Sequence, residues 1–212
     1  MNLCCPLCEA SRCSLLHQDP HRPYFQCSQC GLVFVPSDYF LSSEDEKAVY
    51  DQHENHPDDP RYRQFLDRLC QPTLERIDPN SQGLDFGSGP GPTLSQMLME
   101  AGHQVDIYDL FYAHDPSVFA KTYHFITASE VVEHLHQPRR ELNRLWNCLR
   151  VGGLLGIMTK LLHESQSFAE WHYRRDPTHV IFFREETFQW LESYWHADLI
   201  VAGEDVRLLI KR

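Results

Sequence analysis

The sequence predicts an α/β protein: a mostly parallel sheet with one antiparallel strand and helices on both faces, preceded by a small cysteine-stapled module. Three observations carry that expectation. From about residue 81 onward, apolar strand-like runs alternate with amphipathic stretches. Three alternating glycines, Gly87, Gly89 and Gly91, follow the first of those runs. Near the N-terminus, two C-x-x-C pairs, Cys5 with Cys8 and Cys27 with Cys30, are separated by 18 residues.

The cysteines come first in the chain. Their spacing matches a tetrahedral Cys4 zinc site, because each C-x-x-C turn aims two thiolates at one metal. Gly31 suits the tight turn beyond the second pair, and Tyr24, Phe25 and Leu32 to Val35 supply strand. Residues 1–36 are therefore expected to form a zinc ribbon, with Zn2+ on Cys5, Cys8, Cys27 and Cys30. A redox-active pair is the alternative, but no thioredoxin-like βαβ pattern surrounds it. Cys70 and Cys148 fall on predicted helices, as buried small apolar residues.

Ribbons that bind nucleic acid need a basic surface. Residues 1–36 set Arg12 and Arg22 against Glu9 and Asp19, and residues 37–60 carry eight acids and one lysine. The whole chain has a formal charge of -11. Nucleic acid is thus disfavoured as a partner, and a structural ribbon that packs on the α/β domain is the expectation.

Residues 37–80 form a helical linker or lid. Ser42 and the acids after it are N-cap signals for a helix over Glu44 to His53. A second helix is predicted from Arg61 to Ile77, with Phe65, Leu66 and Leu69 inward and Pro72 kinking or dividing it.

The α/β domain begins with the strand that ends at Asp85. After the glycines, Pro92 stands where a helix starts, and Leu94, Met97, Leu98 and Ala101 share one face of it. Such glycines permit positive φ and let a ligand approach bare backbone, and the helix N-terminus offers free amides. A nucleotide-type ligand fits there. A dinucleotide loop would need glycine or alanine at position 92, where Pro92 stands.

A strand from Gln104 to Asp109 follows, then one from Tyr123 leading into Ser129 and Glu130. Asp109 can accept both hydroxyls of a ribose, or simply form the strand-end turn. A helix carries Leu142, Leu145, Trp146 and Leu149 on one face, and Gly152-Gly153 stop it before a strand over Leu154 to Thr159. The last helix spans Glu185 to Trp195, and a hairpin around Gly203 to Asp205 joins strands at Leu199–Ala202 and Val206–Ile210. The short link from Asp109 to Tyr123 implies a reduced or missing third strand. The ligand belongs outside the carboxyl ends of the strands.

Together these elements resemble the class I S-adenosylmethionine (SAM)-dependent methyltransferases. Asp85, Gly87, Gly89 and Gly91 are similar to the family's acid followed by G-x-G-x-G, and Glu130 to Leu135 to its E-V-x-E-H-L segment. The chain departs from the pattern at His124, where an acid is common, and at Val151, where proline is usual. The resemblance covers residues 81–212. It implies a Rossmann-like sheet and a SAM site formed by Asp85, Phe86, Gly87, Ser88, Gly89, Gly91, Asp109, Leu110, Ser129 and Glu130. It also implies that the 37–80 helices lie over the pocket, so that Tyr50, His53, Asn55 and His56 face cofactor or substrate, or else end a solvated acidic helix.

The segment Phe168 to Phe183 concentrates Trp171, His172, Tyr173, Arg174, Arg175, Asp176 and His179. It resembles the W-x-Y-x-x-D-x-T-H-x-x-F stretch of a bacterial methyltransferase group, many members of which share a cysteine-rich N-terminus. Placed over the cofactor's methyl group, it would supply His179, His172 and Tyr173 as catalytic residues. His179, helped by His172 or His134, would act as general base or orient the acceptor. Tyr173 and Trp171 would wall the sulfonium. The structural alternative packs Trp171 and Phe182 into the core and uses Asp176-Pro177 to cap a turn.

The expected function is methyl transfer from SAM to a small-molecule acceptor. The alternatives are a protein or RNA methyltransferase that presents its substrate through the ribbon, and a non-catalytic zinc-containing module. No apolar run approaches ~20 residues and no secretory pattern opens the chain, so a soluble cytoplasmic protein is expected.

Overall fold

The computed structural model describes residues 3–52, 56–164 and 166–212. At the N-terminus, β1 (Cys13–Gln18), β2 (Pro23–Cys27) and β3 (Val33–Phe34) form an antiparallel ribbon. Helix α1 (Ser43–Tyr50) is capped by Ser42, whose hydroxyl accepts the Asp45 amide at 3.1 Å. Helix α2 (Pro60–Leu74) starts on Asp59, which accepts the Arg61 amide at 2.9 Å. Pro72 does not divide α2. It sits in the last turn, and the helix stops at Leu74 rather than at Ile77.

The α/β domain follows as β4 (Gln82–Phe86), α3 (Thr93–Glu100), β5 (Gln104–Tyr108), β6 (Tyr123–Ser129), α4 (Pro138–Asn147), β7 (Leu149–Met158), β8 (Ile181–Phe182), α5 (Glu185–Trp195), β9 (Asp198–Val201) and β10 (Val206–Ile210). Six strands form one sheet in the order β5-β4-β6-β7-β10-β9. The neighbours from β5 to β7 pair in parallel, and β10 runs antiparallel to both β7 and β9. Between β5 and β6 a single 3-10 turn, Pro116–Ala120, takes the place of a third strand and its helix.

Strand alternation divides the core between the two faces. Phe125, Leu154, Met158 and Leu208 meet α2 and α3 through Leu66, Leu69, Leu94 and Leu98. Their neighbours Ile126, Leu155, Ile157 and Leu209 meet α4 and α5 through Leu142, Leu145, Trp146, Phe188 and Leu191. One sequence expectation needs correction here. Leu149 is not helical: α4 ends at Asn147 and β7 begins at Leu149. Gly152, at φ +76°, and Gly153 absorb an irregularity inside that strand, so pairing passes from Tyr123 with Leu149 to Phe125 with Leu154. Among the described residues, no helix is long and apolar enough to cross a membrane.

The ribbon and the domain share a sheet. β8 pairs antiparallel with β3, setting Val33 opposite Phe182 and Phe34 opposite Ile181, and completes the order β1-β2-β3-β8. Beneath this seam lies a third apolar cluster containing Tyr24, Val33, Leu162, Phe168, Trp171 and Phe182. Arg22, in the turn between β1 and β2, is buried at 6% exposure. Its guanidinium donates to the carbonyls of Arg174, Asp176 and Pro177 at 2.8, 2.7 and 2.8 Å.

Candidate active site

A cavity of about 470 Å³ opens at the carboxyl ends of β4, β5 and β6, and α1 and α2 contribute Glu46, Tyr50, Tyr62 and Phe65 to its wall. The glycine loop forms its floor. Gly87 holds φ +76° with its amide donating to the Tyr108 carbonyl at 2.7 Å, and Val131 packs where its side chain would be. Gly89, at φ +64°, has no heavy atom within 4 Å of where a Cβ would stand. That is the bare backbone a ligand can approach.

Asp109, at the end of β5, organises this loop. One carboxylate oxygen accepts the Gly89 amide at 2.9 Å, and the other accepts the amides of Phe111 and Tyr112 at 2.9 and 3.1 Å. A carboxylate offers about four acceptor sites, so one remains for a ligand hydroxyl. Three buried oxygens in the wall have no partner among the described residues: Ser88 Oγ, Ser129 Oγ and Glu130 Oε1. Buried polar atoms left in this way are what a polar ligand would satisfy. Glu130 adopts φ +51°, an uncommon backbone state for a non-glycine residue, and its amide donates to Met158 at 2.8 Å.

The remaining wall is largely aromatic and aliphatic, and its charged groups are acidic. Glu46, Asp109, Glu130, Glu133 and Asp176 line the cavity, and no lysine or arginine does so among the described residues. Glu133 is fully buried and accepts the Tyr173 hydroxyl on Oε1 and the Thr159 hydroxyl on Oε2, the latter at 3.0 Å. Burial pushes Glu133 up to about 7. Burial first, then the nearby Glu133 charge, push Glu130 up to about 8. His179 Nδ1 lies 2.7 Å from the Tyr173 carbonyl, and burial pushes this imidazole down to about 3. His134 Nδ1 faces the Thr178 carbonyl at 3.2 Å, and the two imidazoles meet edge to face at 4.7 Å between centroids.

The sequence-predicted residues divide. Phe86, Gly87, Ser88, Gly89, Asp109, Leu110, Ser129, Glu130 and His179 line the cavity. Gly91 does not, and Asp85 lies beneath the loop, 3% exposed, accepting the Thr127 hydroxyl at 2.9 Å. His172 is exposed outside the cavity wall, with Nε2 3.2 Å from Lys160 Nζ. Tyr173 lies behind the wall as a support for Glu133, and Trp171 joins the apolar cluster under the ribbon. Burial against Tyr24 and Phe182 decides that placement. Tyr50 faces the cavity, His56 is exposed, and His53 and Asn55 lie outside the described residues.

Sequence reasoning missed Glu46, Tyr62 and Glu133 as wall residues, while Phe65 was expected inward on its helix and Asp176 in the segment over the cofactor. Glu133 was legible as the second acid of the E-V-x-E-H-L segment. Glu46 and Tyr62 stand on helices whose inward face depends on long-range packing.

In the ribbon, the four sulfurs of Cys5, Cys8, Cys27 and Cys30 lie within 4.8 Å of one another. Cys5 and Cys30 are 3.6 Å apart and Cys8 and Cys27 3.4 Å apart, and none of the cysteines is in a disulfide.

A family model described as "Methyltransferase domain" matches residues 55–193. No curated protein matches the chain in sequence. Among solved structures, the mitomycin 7-O-methyltransferase MmcR is similar at 14% identity and a TM-score of 0.53, over 79% of this chain. The match spans 60% of that protein's length. A SAM-dependent methyltransferase from Archaeoglobus fulgidus is similar at 17% identity and a TM-score of 0.51, over 64% of this chain and 69% of that one. At such identities the likeness is one of fold.

Proposed function

Given that the chain belongs to the methyltransferase-domain family, we propose that it transfers a methyl group from SAM to a small-molecule acceptor. The observation that carries this reading is the cavity floor: an open Gly89, Asp109 with an acceptor site to spare, and orphaned oxygens on Ser88, Ser129 and Glu130. SAM supplies a methyl carbon already activated by a positively charged sulfur. Asp109 takes one ribose hydroxyl at its remaining acceptor site, the backbone from Gly87 to Gly89 lies along the methionine part, and the acidic wall favours the cationic donor over its neutral product.

His179 serves the acceptor. Its Nδ1–H is held by a carbonyl, so the neutral ring presents the Nε2 lone pair and orients a hydroxyl or amine for in-line attack. Enclosure by α1, α2 and the ribbon-bound loop suits a small acceptor. The ribbon is a structural zinc site. Sulfur separations of 3.6 and 3.4 Å approach the roughly 3.8 Å edge of a tetrahedron with Zn–S bonds of about 2.3 Å. Zn2+ on Cys5, Cys8, Cys27 and Cys30 would stiffen β1 to β3, and through them β8.

Calorimetry with S-adenosylhomocysteine tests the reading, and absence of binding to folded protein overturns it. Turnover is followed as S-adenosylhomocysteine release over a panel of phenols and hydroxy acids. His179→Ala is expected to bind S-adenosylhomocysteine within about twofold of wild type, while turnover falls roughly 100-fold. Unchanged turnover removes His179 from the reaction.

A further inference from the structure

The charged side chains that line the cavity are all acidic; Lys160 and Arg68 act on Glu130 only from outside the lining. Five carboxyl groups line the cavity without a lysine or arginine among the described residues, and burial of Glu130 and Glu133 opposes their charged forms, a cost that a bound cation would offset. Within that wall one group has the composition of a metal centre. A carboxylate oxygen of Glu133 and one nitrogen each of His134 and His179 lie within 4.8 Å of one another. Glu133 Oε1 is 4.0 Å from His134 Nε2, and Asp176 Oδ2 is 3.8 Å from His179 Nε2.

The ring orientations are those of ligands. The Thr178 carbonyl lies 3.2 Å from His134 Nδ1, and the Tyr173 carbonyl 2.7 Å from His179 Nδ1. A carbonyl oxygen can only accept, so each Nδ1 carries a proton, and the neutral form of either ring has its lone pair on Nε2. Metal-binding histidines are typically held this way, by a hydrogen bond from the other ring nitrogen. The carboxylate has the matching support, from the hydroxyls of Tyr173 and Thr159. Tyr173 therefore braces two members of the triad, one through its backbone and one through its side chain.

We infer that Glu133, His134 and His179 bind a divalent transition-metal ion in the cavity wall, with Asp176 beside it. Two imidazoles and one carboxylate suit Mn2+, Fe2+, Co2+ or Zn2+ better than Mg2+ or Ca2+, which prefer oxygen. Three protein ligands leave coordination positions open toward the cavity. The inference rests on the methyltransferase reading for its function, has His179 orient the acceptor through the ion that its Nε2 lone pair binds, and names the acceptor's reacting group as a hydroxyl. Bound to the ion, that hydroxyl releases its proton to water at a lower pH. The oxygen's electron pair then forms the bond to the methyl carbon, and the carbon–sulfur pair returns to sulfur as a neutral thioether.

The test uses the full chain with one equivalent of zinc, which four thiolates take in preference to two imidazoles and a carboxylate and which Mn2+ does not displace, so the triad is left open to Mn2+. Free Mn2+ is followed by electron paramagnetic resonance, with S-adenosylhomocysteine calorimetry and a thermal melt on the same samples. One further Mn2+ per chain is expected. Its affinity should fall at least about tenfold in His134→Ala and His179→Ala, and by about 10–100-fold in Tyr173→Phe, which removes one hydroxyl. Binding of S-adenosylhomocysteine without Mn2+ binding overturns the metal site, leaves the methyltransferase reading standing, and points to a cationic acceptor instead. Mn2+ binding that survives all three substitutions also overturns it. Mn2+ binding that is lost in the variants, on a protein that ignores S-adenosylhomocysteine, supports the ion and removes the methyltransferase reading.

Discussion

Gly87 and Gly89 share a left-handed backbone but answer to different neighbours. A Cβ on Gly87 would come within 2.2 Å of Val131, at φ +76°. Gly87→Ala should therefore cost about 2–4 kcal/mol and lower the melting temperature markedly. Gly89→Ala meets nothing within 4 Å, so its cost is only about 1 kcal/mol of backbone strain. Its added methyl occupies ligand space, and S-adenosylhomocysteine affinity should fall tenfold or more on about that much lost contact. Equal melting curves for the two variants would contradict this division. Asp85 is governed by solvation. Burial pushes its carboxyl up to about 6 from 3.8. A raised folded pKa gives stability that is full below the unfolded value and lost as pH rises through the folded one. Near neutral pH, Asp85→Asn should be the more stable protein by about 3 kcal/mol, with the difference fading toward about pH 4. A difference independent of pH in urea titrations would refute that assignment.

At the scale of elements, the ribbon acts on the site through a chain of contacts. β3 pairs with β8, the Val35 amide donates to Val180, and the Val180 amide donates to Glu133, at 2.8 and 2.9 Å. Arg22 holds three carbonyls of the segment that leads to His179. Arg22→Ala leaves those carbonyls buried and should cost about 3 kcal/mol, with faster amide exchange from Asp176 to Phe182. On the proposed zinc site at Cys5, Cys8, Cys27 and Cys30, chelation should produce the same exchange pattern. Zinc loss that leaves this segment protected would separate ribbon from site. This coupling could not be read in the sequence. Cys5, Cys8, Cys27 and Cys30 form a local pattern, as do the Asp85 to Gly91 loop and the cap at Ser42, and local patterns were legible. A lone arginine in a short turn carries no such signal. Nor does an aromatic count reveal which surface the rings cover. Trp171 and Tyr173 were expected over the cofactor, but one is buried under the ribbon and the other stands behind Glu133.

For the whole molecule, a formal charge of -11 sets the long-range field, and the cavity repeats that sign. A filter-binding assay with transfer RNA at about 150 mM salt should therefore detect no complex. Retention there would favour an RNA acceptor over a small molecule. The two faces of the sheet follow from alternating apolar residues such as Phe125 and Ile126, because each faces a different layer, whereas the strand order is set by long-range pairing. Nor does the break between α4 and β7 follow from the pattern, since the apolar spacing runs on through Leu149 while the backbone changes state. The shared sheet also bears on how such a protein can be recombined. A graft that exchanges the first 36 residues with those of a relative would strip β8 of its partner strand and leave Arg22's three acceptors facing a foreign turn. The transplantable piece is discontinuous: the N-terminal strands and the stretch from Phe168 to Phe183 must travel together.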